Sequence, residues 1–144
     1  MADITSANSI LALGVTNFYP APQTLSGFAA DDMYSMANVD IKEVLLGADG
    51  RLSAGWIPQI KVLEIMLQAD SPSTTFFEAV YAAEQAAQAP FFFFGSLIQP
   101  AVKKLYTLGN GVMKNYSPLA DGKKVLQPRK FEIHFQSVIG APTP

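Results

Sequence analysis

The most regular stretch of the chain lies near its C-terminal end, where Phe131, Ile133 and Phe135 alternate with Lys130, Glu132, His134 and Gln136. Alternation with period two predicts a strand with one buried and one wet face. Ile10 to Val15 is a short continuous apolar run and predicts a buried strand. Residues 17–22 carry two prolines and read as a loop, and residues 25–28 and 33–36 as short strands on either side of Asp31 and Asp32. Residues 39–46 alternate moderately and run into Gly47-Ala48-Asp49-Gly50, a sequence that tolerates positive φ, so a hairpin should turn there. Its return limb is placed at residues 59–68. Residues 51–58, which hold Gly55, Trp56 and Pro58, are read as a projecting tip rather than continuous ladder.

One helix is expected. In Asp70-Ser71-Pro72-Ser73 a capping oxygen precedes a proline at the first helical position, where no N–H is required. Phe76, Phe77, Val80, Tyr81 and Ala83 then recur at helical spacing, and Pro90 ends the pattern. Four aromatics at residues 91–94 would occupy both faces of a strand, so neither face could be fully solvated. Residues 103–108 and 112–116 flank Gly109-Asn110-Gly111, which reads as a hairpin turn. Residues 117–122 form a longer loop. The tail, residues 140–144, ends in Pro-Thr-Pro and is expected not to extend a ladder, lying free or on a neighbour.

Composition changes this picture from a strand-rich domain to one that needs company. The 144 residues suffice for a single domain, taken as residues 1–144, and the absence of cysteine excludes disulfides and thiolate metal sites. Charged residues make up 15% of the chain and apolar residues 49%, with a mean hydropathy of +0.20. Soluble domains usually carry about 25% charge, so a monomer of this kind would expose apolar patches of the sort that mark contact surfaces. A membrane span is not expected, because the most apolar stretch, residues 86–98, is broken by Gln88, Pro90, Gly95 and Ser96 and falls short of the roughly 20 residues a helix needs. No signal peptide is visible, which places synthesis in the cytoplasm.

The formal charge of −2 conceals an asymmetry. Residues 1–100 hold ten acids and three bases, a balance of −7, and residues 101–144 hold seven bases and two acids, a balance of +5. Internal pairing would account for this, and so would head-to-tail stacking of copies. A nucleic-acid patch built from Lys103, Lys104, Lys123, Lys124, Arg129 and Lys130 is the weaker reading beside a solvated strand edge.

Catalytic chemistry finds little to work with. His134 is the single histidine and stands on the polar side of its strand, so no histidine metal cluster or Cys-His pair can be assembled, and no nucleophile-elbow motif supports a Ser-His-Asp set. Asp31 and Asp32 are adjacent, which gives a loop or cap role more readily than an acid–base pair. The glycine clusters lack the spacing and lysine of a phosphate loop. No enzyme activity, cofactor or metal is expected.

The order of features resembles that of bacteriophage tail tube proteins. The segments that carry the resemblance are Gly47-Ala48-Asp49-Gly50, Leu67-Gln68-Ala69-Asp70-Ser71-Pro72-Ser73, Lys103-Lys104-Leu105-Tyr106-Thr107-Leu108-Gly109-Asn110-Gly111-Val112, and Lys123-Lys124-Val125-Leu126-Gln127-Pro128-Arg129-Lys130-Phe131. Together they span roughly residues 8 to 136, and residues 1–40 match least. The resemblance implies a mainly β fold, an antiparallel β-sandwich or barrel flanked by a single α-helix, in a virion structural protein that forms stacked hexameric rings. The hollow tube would conduct DNA into the host without specific binding. Implied partners are further copies of the chain, a tape measure protein in the lumen, baseplate and tail terminator proteins, and a sheath if the tail is contractile, towards which the reading leans.

On this resemblance the tip at residues 49–58 would reach a neighbouring copy, with Asp49, Arg51, Leu52, Trp56, Ile57 and Pro58 as contacts, Trp56 having a core position as its alternative. A lumen that lets DNA pass should repel phosphate, and Asp40, Glu43 and Glu64 are the candidates to line it, ordinary solvated or paired acids being the alternative. A secretion-system tube or baseplate hub subunit, and a small-ligand β-barrel binder, are the competing classes.

Overall fold

The computed structural model describes residues 6–29 and 33–143, so the expectation for Asp31 and Asp32 lies outside the described residues. Ten elements follow in order: β1 (Ile10–Val15), β2 (Tyr19–Thr24), β3 (Tyr34–Met36), β4 (Lys42–Leu46), β5 (Leu52–Trp56), β6 (Lys61–Leu67), α1 (Thr74–Ala87), β7 (Phe93–Gln99), β8 (Lys104–Asn115) and β9 (Arg129–Pro142). Seven strands form one antiparallel sheet in the order β2-β1-β7-β8-β9-β6-β3, and β4 and β5 form a separate two-stranded sheet. The fold is mainly antiparallel β with a single helix, as the sequence implies.

The core lies between one face of the large sheet and α1. Alternation sends Leu11, Leu13 and Val15, Leu63, Ile65 and Leu67, and Phe131, Ile133 and Phe135 to that face, where all nine are buried. The helix answers with Phe76, Phe77 and Val80. Phe77 stacks on Phe131 with ring centroids 4.4 Å apart, and one helical turn later Tyr81 stacks on Tyr116 at 4.2 Å. Both edges of the sheet resist further pairing. β2 carries Pro20 and Pro22, which lack donors, and β3 is three residues long.

Several expectations are corrected. The segment read as a loop over 17–22 contributes β2, because an edge strand tolerates proline where a central one does not. The return limb of the hairpin is β5, paired with β4 from Lys42↔Trp56 to Leu46↔Leu52, and residues 59–68 instead supply β6 of the large sheet. Gly55 and Trp56 are therefore ladder residues; the expected tip at 49–58 is one limb and the turn of a complete hairpin.

Gly109-Asn110-Gly111 does not turn the chain. β8 runs straight through it, with Asn110 at φ 50° and a one-residue slip in the ladder with β7. A bulge and a hairpin turn demand the same positive φ, which is why local sequence did not separate them. Gly111 is needed for space as well: a Cβ there would stand 2.5 Å from the Phe135 ring.

The helix begins at Thr74, two residues beyond the expected first position. Ser71 Oγ accepts from the Ser73 N–H at 3.2 Å while its hydroxyl donates to the Ser26 carbonyl. Ser73 Oγ accepts from the Ser26 N–H at 2.8 Å, so the serines meant as caps also fasten the 26–27 loop. Gln88, in the left-handed conformation at φ 52°, closes the helix just before Pro90, and the strand expected at 91–94 starts at Phe93. The tail does extend a ladder: β9 reaches Pro142, which lies opposite Lys104. Proline there sits at a strand end, where no donor is required.

Phe77→Ala should destabilise the monomer by about 3–5 kcal/mol, whereas Trp56→Ala should change it by less than about 0.5 kcal/mol. Urea unfolding at concentrations too low for association measures both.

Candidate assembly surfaces

The β4–β5 hairpin pairs with no strand of the large sheet, and every residue of both its strands is exposed. Its turn is well specified. Gly47 N–H donates to the Arg51 carbonyl at 2.8 Å, Asp49 Oδ1 accepts from the Arg51 N–H at 3.0 Å, and Gly50 supplies φ 85°. The register sorts its side chains. Lys42 with Trp56, Val44 with Ala54, and Leu46 with Leu52 share one face; Glu43 with Gly55 and Leu45 with Ser53 share the other. One face is thus almost wholly apolar, with Lys42 at its root, yet its side chains stay exposed among the described residues.

Of the expected contact residues, Leu52 and Trp56 lie on that apolar face, Asp49 and Arg51 form the turn, and Ile57 and Pro58 lead back towards the large sheet. Trp56 is 75% exposed, so its alternative as a core residue is excluded. Beside the root, Trp56, Pro58, Ile60, Val112 and His134 line an open groove of about 560 Å³.

The three acids named as lumen candidates are not brought to one sheet. Glu43 stands on β4, Asp40 precedes it, and Glu64 stands on β6 in the large sheet, on the face away from α1. There Glu64 lies opposite Glu132, a like-charge pairing that is unfavourable unless compensated. Compensation comes from both sides. Lys130 Nζ stands 3.0 Å from Glu64 Oε1, the Ser35 hydroxyl donates to Glu64 Oε2 at 3.2 Å, and Asn115 Nδ2 donates to Glu132. The Lys130 hydrogen bond holds the Glu64 carboxyl below its ordinary value, against a smaller opposing effect of burial, and the same bond raises the Lys130 ammonium. Asn110 Nδ2 and Gln136 Oε1 add a 3.0 Å bond on this face, so its polar groups largely satisfy one another.

Two features were missed. Arg129, taken as a solvated strand-edge base, is 6% exposed. Its Nη1 donates to Glu78 Oε1 at 3.0 Å, its Nη2 donates to the Ser117 carbonyl at 2.6 Å, and its guanidinium lies 5.3 Å from the Phe131 ring centroid. It ties helix, sheet and the 117–128 segment together, a role its neighbours in sequence do not announce. The other is the surface of that segment, where Leu119, Val125 and Leu126 are all exposed. Val125 and Leu126 sit beside Lys123 and Lys124 over an open cleft of about 740 Å³ completed by residues 68–70.

No group of three or more metal-ligating side chains converges among the described residues, and no described helix is long and apolar enough to cross a membrane. What this geometry offers is contact surface.

Known proteins resemble the chain over most of its length. The model of the tail fiber protein gp32 family matches residues 2–139. No curated protein matches the chain. Among solved structures, a chain in the PVC extracellular contractile injection system's sheath/tube terminator, in the extended state, has a TM-score of 0.62 at 11% identity, with 98% of each chain covered. A chain in the anti-feeding prophage baseplate has a TM-score of 0.59 at 11% identity, covering 99% of this chain and 97% of the other. A chain in the extended PVC sheath-tube complex has a TM-score of 0.57 at 12% identity, with 97% and 92% covered. At such identities the likeness is one of fold.

Glu64→Gln should lower stability at neutral pH. A glutamate with a depressed folded pKa contributes stability above its unfolded value and loses it as pH falls through the folded one. The gap between wild type and variant in urea midpoint should therefore close as pH drops below the ordinary 4.5, and remain small throughout because both partners are exposed.

Proposed function

The chain belongs to the tail fiber protein gp32 family, a phage-tail type of structural protein, and on that premise we propose that it is a tube subunit that assembles into stacked hexameric rings. The tube is a conduit for DNA ejection, and the subunit is not an enzyme. The observation that carries this reading is the end-to-end likeness to a chain of a sheath-tube complex, with more than nine-tenths of both chains covered.

Physical chemistry supports the same reading. The hairpin's exposed apolar face and the apolar 119–126 surface need partners of matching character. The partners that follow are copies of the chain, a tape measure protein in the lumen during assembly, baseplate and terminator proteins, and a sheath if the tail is contractile. The polar face of the large sheet, with Glu64 paired to Lys130, offers DNA no cluster of free cations and suits the lumen. A second reading, a terminator or baseplate subunit on the same fold, is favoured by the likeness to chains in those two structures.

Electron microscopy of the purified protein separates the two. Tubes of stacked six-fold rings are expected; rings that never stack would favour the terminator or baseplate role, and monomers at every concentration and salt would overturn both. Across assembled tubes, Glu64→Gln, the one of the three acids on the large sheet, should reduce cation preference in conductance, and unchanged preference would remove Glu64 from the lining.

A further inference from the structure

Two strands of the large sheet change phase at the same level. Phe131, Ile133 and Phe135 face the core, and continued alternation would send Ser137 and Ile139 inward after them. Val138 goes in instead, opposite the buried Leu108, and Ile139 is left 64% exposed. β8 makes the same step, since Gly111 faces the Phe135 ring while Leu108, at an odd spacing from it, is also buried in the core. The step falls at Asn110, with its positive φ, and at Gln136, whose side chains are hydrogen-bonded to each other. Because both strands step together, their ladder keeps its register. The consequence is a second inward row beyond the one that α1 covers: Leu108 and Tyr106 on β8, with Val138 and Gly140 on β9. Gly140 makes room there, as a Cβ would stand 2.9 Å from the Tyr106 ring.

The sheet curls over this row. Three strands separate β3 from β7 in the sheet order, yet Gln99 Nε2 donates to the Tyr34 hydroxyl at 2.9 Å and that hydroxyl donates to Ser9 Oγ at 3.1 Å. These two bonds hold β3 across the open side. Beneath them is a pocket of about 270 Å³, with Leu63, Leu97 and Leu108 as its floor and Met36, Tyr106 and Val138 in its walls.

Its chemistry differs from that of the other openings. Glu84, Lys123 and Lys61 stand in the walls of three of them, whereas no acid, lysine, arginine or histidine lines this one. A charge entering it would lose hydration and gain no partner. Water gains little, because a buried water needs about two to four polar partners and the floor offers none. An apolar cavity of about 150 Å³ takes up benzene, so this one has room for a single ring with a substituent. Polar groups in the lining are few. The Ser35 hydroxyl is given to Glu64 and the Tyr34 hydroxyl to Ser9, and Gln99 Nε2 is committed to Tyr34, so the carboxamide oxygen of Gln99 is the acceptor left to recognise an occupant.

We propose that this pocket is a binding site for a compact uncharged molecule, a single ring or short branched chain that carries one hydroxyl group. The apolar body lies on the three leucines, and the hydroxyl donates to Gln99 Oε1. Such an occupant bridges β3 to the strands on the far side of the pocket and so steadies a three-residue strand that is otherwise paired only with β6. The site lies wholly within one chain. It goes beyond the assembly reading and stands or falls without it.

The probe is p-cresol, followed by equilibrium dialysis against the full-length chain. One saturable site per chain is expected. Toluene, which lacks the hydroxyl, should bind about fivefold more weakly, and benzoate, which is charged, should not bind. Val138→Phe and Met36→Phe fill the pocket from two different walls and should each abolish uptake, the urea midpoint of each showing that the chain still folds. Gln99→Leu should keep toluene binding and erase the preference for p-cresol. Saturation with p-cresol should slow amide hydrogen exchange in β3. Uptake that never saturates, that persists in both filling variants, or that benzoate matches overturns the site, as does unchanged exchange in β3. A preference for p-cresol that survives Gln99→Leu overturns the recognition of a hydroxyl by Gln99.

Discussion

A single 14-residue helix has to close the apolar face of a seven-stranded sheet. That is the constraint on which the rest of the molecule depends. The contact is concentrated in a few rings, Phe76, Phe77 and Tyr81 against Phe93, Phe131 and Tyr116, and the buried Arg129 locks helix to sheet beside them. Under the helix the core side chains are fully buried or nearly so. Beyond its reach the same sheet opens into a groove of about 270 Å³ floored by Leu63, Leu97 and Leu108. A chain that is 49% apolar and has one helix for cover leaves apolar surface over, and the hairpin and the 119–126 segment are where it stands.

The edges of the sheet limit how that surface can be used. Prolines on β2 and the brevity of β3 discourage ladder growth at the two outer edges. Association is thereby directed to side-chain surfaces, whose shapes are specific, rather than to backbone edges, which accept any strand. Promiscuous edge pairing, the route to aggregation, is thereby discouraged.

Much of this was legible in the sequence, and the failures share a cause. β1 and the first half of β9 were plain because burial imposes a pattern on consecutive residues: Ile10 to Val15 as a run, Phe131 to Phe135 as an alternation. The helix, the turn at 47–50 and the mainly β class followed from equally local signals. What failed was anything that depends on a distant partner. Asn110 needs positive φ whether the chain turns or bulges, and only pairing of β8 with β7 and β9 decides. Pro20 and Pro22 exclude a central strand but not an edge one. The partner of β4 was misplaced because Gly55 and Pro58 weaken the local strand signal that the register then overrides. Among the site residues, Trp56 and Leu52 stood out through local context, whereas Val125 and Leu126 did not, since their exposure depends on how Arg129 and the end of β6 hold the segment beneath them.

The two kinds of surface on this molecule are opposite in chemical character, and that contrast gives the functional reading its physical sense. The polar face of the large sheet is largely satisfied from within: Glu64 with Lys130 and Ser35, Glu132 with Asn115, and Asn110 with Gln136. A polyanion passing such a face displaces no counterions from an array of free lysines and gains nothing by stopping. The ends of β6 are unsatisfied, because apolar side chains there have only water to face. A subunit of a conduit needs this separation. Its ends must bind strongly enough to hold a stack together, and its lining must bind nothing, so the residues serving each purpose belong on different faces of the fold.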